Sequence, residues 1–69
     1  MDKYQQYISE MKKYPKEHNK FQKNKWLVDL HISGLRLTAF KMRGTTVASF
    51  CSRESNYLEK EMNRVINAK

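Results

Sequence analysis

Apolar residues recur at helical spacing near the start of the chain. The positions concerned are Tyr4, Tyr7, Ile8 and Met11, with polar residues between them. Asp2 is a suitable N-cap for this segment. Pro15 disfavours the helical conformation at Tyr14 and should end the helix there. The pattern predicts an amphipathic helix over residues 2–14.

A second helical stripe lies near the end of the sequence. Its members are Tyr57, Leu58, Met62, Val65 and Ile66. Charged and amide side chains occupy the opposite side, and Ser52 or Ser55 can cap the start. The pattern predicts a helix over residues 54–67.

Residues 15–25 contain one large apolar residue, Phe21, and four lysines. This composition is typical of a basic linker. Pro15 is also suited to the first position of a short helix, so a helical turn within this segment stays open.

The segment from Trp26 to Arg53 has two interpretations. Apolar residues alternate with polar ones on both sides of Ser33-Gly34, and Arg43-Gly44 forms a second Gly-containing pair. Alternation separated by such pairs is typical of β-hairpins. The rival interpretation is a helix, which must accept Ser33-Gly34 in its interior together with several β-branched residues. We favour the strands and predict a three-stranded antiparallel β-meander over residues 26–52.

The predicted fold is therefore α+β, a single small domain with the order helix, three strands, helix. Pairing across the two turns sorts the side chains onto two faces. The apolar face, against which the last helix should pack, contains Trp26, Val28, Leu30, Ile32, Leu35, Leu37, Ala39, Ala48 and Phe50. The exposed face contains Leu27, Asp29, His31, Arg36, Thr38, Phe40, Met42, Val47, Ser49 and Cys51.

Size and composition exclude several classes of function. A chain of 69 residues buries a small core and has little material for the walls of a deep pocket. The single cysteine, Cys51, excludes an intramolecular disulfide, and two isolated histidines do not make a metal site. We expect no catalytic residues, no metal and no cofactor. No apolar run approaches a membrane span, so we expect a cytoplasmic protein without a membrane partner.

The charge balance points to a polyanion. The chain has 14 basic and 7 acidic residues, a formal charge of +7, and residues 54–69 carry no net charge. The excess lies on the linker and the predicted sheet, where it could neutralise phosphates of duplex DNA. The expected nucleic-acid-binding residues are Lys23, Lys25, His31, Arg36, Thr38, Lys41, Arg43 and Arg53.

Residues 25–67 resemble the three-stranded DNA-binding domains of plant AP2-type factors and the arm-binding domains of tyrosine integrases. The likeness consists of a strand opening with Trp26, a Gly turn, and Ser49-Phe50 leading through Ser52-Arg53-Glu54 into a helix. It implies that the sheet face enters the major groove. The element order is also similar to that of double-stranded-RNA-binding domains, although Ser52-Arg53-Glu54-Ser55 has one basic residue where that family has a Lys-Lys pair.

Two alternatives remain. Leu27, Phe40, Met42 and Val47 could form an apolar patch for a protein partner or for a second copy of the chain. The segment from Gly44 to Phe50, followed by Asn63 to Asn67, resembles a phage-repressor helix-turn-helix. In each case we expect a small accessory or regulatory protein, of a size and composition common among phage and plasmid proteins.

Overall fold

The chain forms three helices in a computed structural model that describes residues 3–68. Helix α1 is Lys3–Lys13, α2 is His18–Lys41 and α3 is Thr46–Ala68. The helices pack on one another in all three pairings, most extensively α2 on α3. The resulting body is elongated, with principal extents of 42 × 21 × 16 Å. Asp2, the predicted cap of the first helix, lies outside the described residues.

The predicted α+β fold with a three-stranded sheet is wrong, because the described residues contain no strand. Residues 26–41 belong to α2, and residues 46–52 belong to α3. The apparent alternation has a helical explanation. Val28 and Ile32 are four residues apart and face the core, whereas Trp26 and Leu30 are four residues apart and exposed. Two apolar faces on one helix therefore produced a period of two in the sequence.

Of the two predicted Gly turns, the structure contains the second. Gly44 has φ +84° in the link between α2 and α3, a conformation that glycine adopts without the strain caused by a Cβ. Gly34 lies inside α2, and an added Cβ at that position would have nothing within 4 Å. A glycine inside a helix costs about 1 kcal/mol relative to alanine. Tertiary packing of the flanking turns outweighs this cost.

The turn between α2 and α3 is held by backbone and hydroxyl hydrogen bonds. The Met42 amide donates to the Thr38 carbonyl at 2.9 Å. The Thr45 hydroxyl donates to the Met42 carbonyl at 2.6 Å and accepts from the Ala48 amide at 3.3 Å. Thr45 thus acts as the N-cap of α3. The predicted caps Ser52 and Ser55 lie within α3 instead, because the helix begins earlier than the apolar stripe indicated.

The core contains side chains from every helix. Its buried members are Ile8, Met11, Phe21, Val28, Ile32, Leu58 and Met62. Phe21 belongs to the segment predicted as a basic linker, most of which is the first part of α2. Because Phe21 is buried, it anchors the amino end of α2 against the other helices. That anchoring makes the lysines around it part of a rigid element rather than of a flexible connection.

Polar side chains also join the helices. Arg36 on α2 forms an ion pair with Glu59 on α3. Lys20 on α2 lies 3.9 Å from Glu10 on α1. All four of these side chains are partly exposed, so the pairs fix relative orientation more than they add stability. No helix of the described residues is both long enough and apolar enough to cross a bilayer.

Candidate nucleic-acid interface

Lysines concentrate where α1 ends and α2 begins. We call this region the basic corner and define it by five exposed residues, Lys12, Lys13, Lys16, Lys20 and Lys23. Lys12 and Lys13 form the last turn of α1, and Lys16 lies in the link. Residues 10–29 contain six lysines and three acidic residues, so the formal charge of this stretch is +3. Two of the acidic residues have a lysine partner, because Glu10 pairs with Lys20 and Asp29 pairs with Lys25.

Tyr14 contacts two lysines of the basic corner. The Lys20 Nζ is 4.2 Å from the centroid of its ring, and the Lys13 Nζ is 5.8 Å away. Both distances are within the range of cation–π attraction. The Tyr14 ring is therefore within cation–π distance of one ammonium group from α1 and one from α2.

The backbone of the corner is also fixed. The Tyr14 amide donates to the Glu10 carbonyl at 3.0 Å, and the Glu17 amide donates to the Tyr14 carbonyl at 3.3 Å. The Phe21 amide donates to the Glu17 carbonyl at 2.8 Å. This continuous series of hydrogen bonds carries the chain from α1 into α2. The lysines consequently project from a defined scaffold and form a focused positive surface.

A groove between α1 and α3 borders the basic corner. Its volume is about 530 Å³, and Lys12 and Pro15 form its edge toward the corner. Inside it, Arg64 pairs with Glu61 at 3.4 Å, so two of the charges in the groove neutralise one another. The net positive charge of this side of the molecule is therefore that of the corner.

The structure divides the predicted nucleic-acid-binding residues among several places. Lys23, Lys25, His31, Arg36, Thr38 and Lys41 all lie on α2, Arg43 lies in the following turn, and Arg53 lies on α3. No sheet face unites them, so the expected contact between a sheet and the major groove is a wrong prediction. Lys23 belongs to the basic corner, whereas Arg43 and Arg53 line a shallow depression beside the second turn.

Several members of the predicted set have structural contacts. His31 stacks on Tyr4 of α1, and Arg36 pairs with Glu59 of α3. Lys25 forms an ion pair with Asp29 at 3.2 Å. The Thr38 hydroxyl donates to the Gly34 carbonyl at 2.9 Å, one helical turn earlier. These four side chains contribute to the helices and their packing.

The residues predicted for a protein partner do not share one face. Leu27 and Phe40 lie about 140° apart around α2 at 100° per residue. Leu27 is half-buried and Phe40 is exposed. Met42 lies in the turn after α2 and Val47 in the first turn of α3, both exposed. Leu27 therefore does not share a face of α2 with Phe40.

The helix-turn-helix segments are parts of one helix. Residues 46–50 and 63–67 both belong to α3, with no turn between them. A helix-turn-helix needs two helices joined by a short turn. The two segments therefore do not form this motif.

Other candidate chemistry is sparse in the described residues. They contain no group of three or more His, Cys, Asp or Glu side chains that could hold a metal ion. Cys51 was predicted on an exposed face, but it is buried on α3. The interior location follows from helical periodicity, because Cys51 lies seven residues before the core residue Leu58.

The sequence-based set of site residues did not include Lys12, Lys13, Lys16 and Lys20 of the basic corner. Lysine is frequent between residues 12 and 25. This enrichment was interpreted only as part of a basic linker over residues 15–25. Comparison of the chain with protein-family models, with curated proteins and with solved structures finds no match. These comparisons therefore leave the resemblance to AP2-type and integrase domains untested.

Proposed function

We propose that this chain is a small helical protein that binds duplex DNA through the basic corner, in an accessory or regulatory role. The observation that carries the proposal is the set of five exposed lysines at the junction of α1 and α2, two of which, Lys13 and Lys20, lie over the Tyr14 ring. Lysine ammonium groups act as flexible point charges, which suits phosphate oxygens. The cytoplasmic location expected from the sequence belongs to this proposal.

Binding of this kind is led by phosphates rather than by base edges. Phosphate contacts position a protein on the duplex, while hydrogen bonds in the grooves read the sequence. The five residues that define the basic corner are all lysines, whose flexible point charges suit phosphate oxygens. We therefore expect weak sequence preference and a strong dependence on salt.

A salt titration with matched variants tests the proposal. The corner variant combines Lys13→Gln, Lys16→Gln and Lys20→Gln. Its control combines Lys41→Gln, Arg53→Gln and Lys60→Gln, which removes the same charge from other exposed positions. Affinity for a 24-base-pair duplex is measured by fluorescence anisotropy between about 50 and 200 mM salt.

For the unmodified chain we expect the logarithm of the affinity to fall linearly with the logarithm of the salt concentration. Each phosphate contact contributes about 0.9 to this slope, so the corner variant should lose about 2 to 3 units of slope and the control less than one. An equal loss in both variants would contradict the corner and favour a diffuse charge effect. A flat salt response in the unmodified chain would contradict phosphate binding altogether.

A further inference from the structure

Helix α2 has an apolar stripe on the side that faces away from the core. The exposed fractions are 61% for Trp26, 58% for Leu30, 55% for Leu37 and 66% for Phe40. With Ser33 included, the spacing along the helix is four, three, four and three residues. This is the spacing of the contact positions in a coiled coil. We call these five residues the outer stripe.

The outer stripe is separate from the face of α2 that builds the domain. The buried residues Phe21, Val28 and Ile32 lie on the opposite side of the same helix. At 100° per residue, Val28 and Trp26 are about 160° apart. Four large apolar side chains, each more than half exposed, are more than a monomeric surface of this size normally presents in one row.

We infer that the outer stripe is the interface of a homodimer, in which a second copy of the chain packs its α2 antiparallel to the first. The stripe has the same order from either end: an aromatic residue, a leucine, a small residue, a leucine and an aromatic residue. Trp26 and Phe40 each lie seven positions from Ser33. A two-fold interface needs such a self-complementary patch, because both subunits use the same surface.

The centre of the stripe permits close approach of two helices. Ser33 is small and exposed, and Gly34 beside it has nothing within 4 Å of the place where a Cβ would be. The four larger side chains lie on either side of this centre. In the antiparallel arrangement, Trp26 of one copy lies near Phe40 of the other, and Leu30 lies near Leu37.

Charge also favours the antiparallel direction. Between Trp26 and Phe40 the chain has two charged residues, Asp29 and Arg36, on the same edge of the stripe. Antiparallel packing places Asp29 of each copy near Arg36 of the other. Parallel packing would instead bring Arg36 near Lys41, which is a like-charge contact. Asp29 and Arg36 already pair with Lys25 and Glu59 within the chain, so the intermolecular contact sets register more than affinity.

The interface is small. Two such stripes bury on the order of 1,000 Å² in total, which is at the lower limit for specific association. Each copy also carries a charge of +7, which opposes association at low salt. The dimer should therefore be weak, in the micromolar range, and tighter at high salt. Added salt should therefore strengthen the dimer and weaken the binding of DNA. Because the two responses have opposite signs, failure of one proposal can be distinguished from failure of the other.

Sedimentation equilibrium without DNA tests the dimer. Unmodified chain is measured from 5 to 500 μM at about 50 and 500 mM salt, beside Leu30→Glu and the charge-matched control Tyr57→Glu on α3. We expect the dimer dissociation constant to rise at least tenfold in Leu30→Glu and less than threefold in the control. A monomer under all conditions, or equal effects of both substitutions, would overturn the proposal.

Cysteine cross-linking gives a second readout that does not depend on how Leu30→Glu folds. In a Cys51→Ala background, Ser33→Cys should form an intermolecular disulfide on mild oxidation. Gln22→Cys, which lies in line with the stripe but far from its centre, should form none, because antiparallel packing places the two copies of position 22 at opposite ends. Cross-linking at Gln22→Cys would contradict the antiparallel direction. Absence of cross-linking at Ser33→Cys would contradict the interface.

Discussion

The ring of Tyr4 on α1 stacks on the imidazole of His31 on α2, with ring centroids 3.6 Å apart and ring planes 3° from parallel. Tyr7 meets the same Tyr4 ring edge-on at 5.8 Å. This cluster fastens the first helix to the middle of the second. The side chain that the sequence placed on a DNA-reading surface is therefore part of the helix packing.

Loss of the Tyr4–His31 stack should destabilise the domain. In a double-mutant cycle of Tyr4→Ala and His31→Ala, we expect a coupling of about 0.5 to 1.5 kcal/mol, the range for aromatic pairs. The measurement is the free energy of unfolding by urea. His18→Ala is the control, because His18 is exposed at the start of α2 and should change stability little. Additive effects of the two substitutions would contradict the stack.

Substitution of the two glycines should have opposite effects. Gly34→Ala should stabilise the fold by about 0.5 to 1 kcal/mol, because alanine favours the helix and the site has room for a Cβ. Gly44→Ala should destabilise it by about 1 to 2 kcal/mol, because φ there is +84°. Thermal unfolding at low protein concentration checks both without a contribution from self-association. If Gly34→Ala destabilised the fold as much as Gly44→Ala, residue 34 would lie in a turn and not in a helix.

The sequence predicted the parts of this fold that depend on one helical face. The terminal stripes, with Met11 in the first helix and Leu58 in the last, indicated both terminal helices, although α3 begins at Thr46 and not at the predicted residue 54. The turn at Gly44 was also predictable, because a glycine there relieves backbone strain. For the terminal helices the deciding property is the helical spacing of apolar residues. At Gly44 it is the positive φ, which glycine adopts without strain.

The central segment was mistaken because α2 is apolar on two sides. A pattern of alternate residues does not distinguish a strand from a helix with two faces, since both put apolar side chains at positions 26, 28, 30 and 32. In the structure this segment belongs to α2 and α3, which are 24 and 23 residues long and so far longer than strands. Contacts such as Tyr4–His31 follow from helix packing, which one sequence does not specify.

The basic corner was predictable in composition but not in form. Four lysines between residues 16 and 25 were evident, yet they indicated a linker. Phe21 is buried in the first turns of α2, and Lys20, one residue earlier, lies over the Tyr14 ring. That anchoring depends on long-range contacts, so the form of the basic corner was not evident from the sequence.

If both proposals hold, DNA length should matter. Lys20 lies 13 residues from Ser33, about 20 Å along α2, so an antiparallel dimer separates its two copies by about 40 Å. The two Lys23 residues would be about 30 Å apart, and one turn of DNA, about 34 to 36 Å, falls between these values.

We therefore expect Leu30→Glu to weaken binding to a 24-base-pair duplex at least fivefold more than it weakens binding to an 8-base-pair duplex. Tyr57→Glu, with the same change of charge, should affect both lengths equally. Anisotropy titrations of each duplex give these ratios. An equal effect of Leu30→Glu on the two lengths would show that the two corners do not act together.

The proposed contact between the basic corner and DNA can be located residue by residue in an amide chemical-shift map. A ¹⁵N-labelled chain is titrated with a 12-base-pair duplex at about 50 mM salt. We expect the largest amide chemical-shift changes between residues 12 and 23. Shifts confined to residues 36–53, or no shift at any residue, would contradict it.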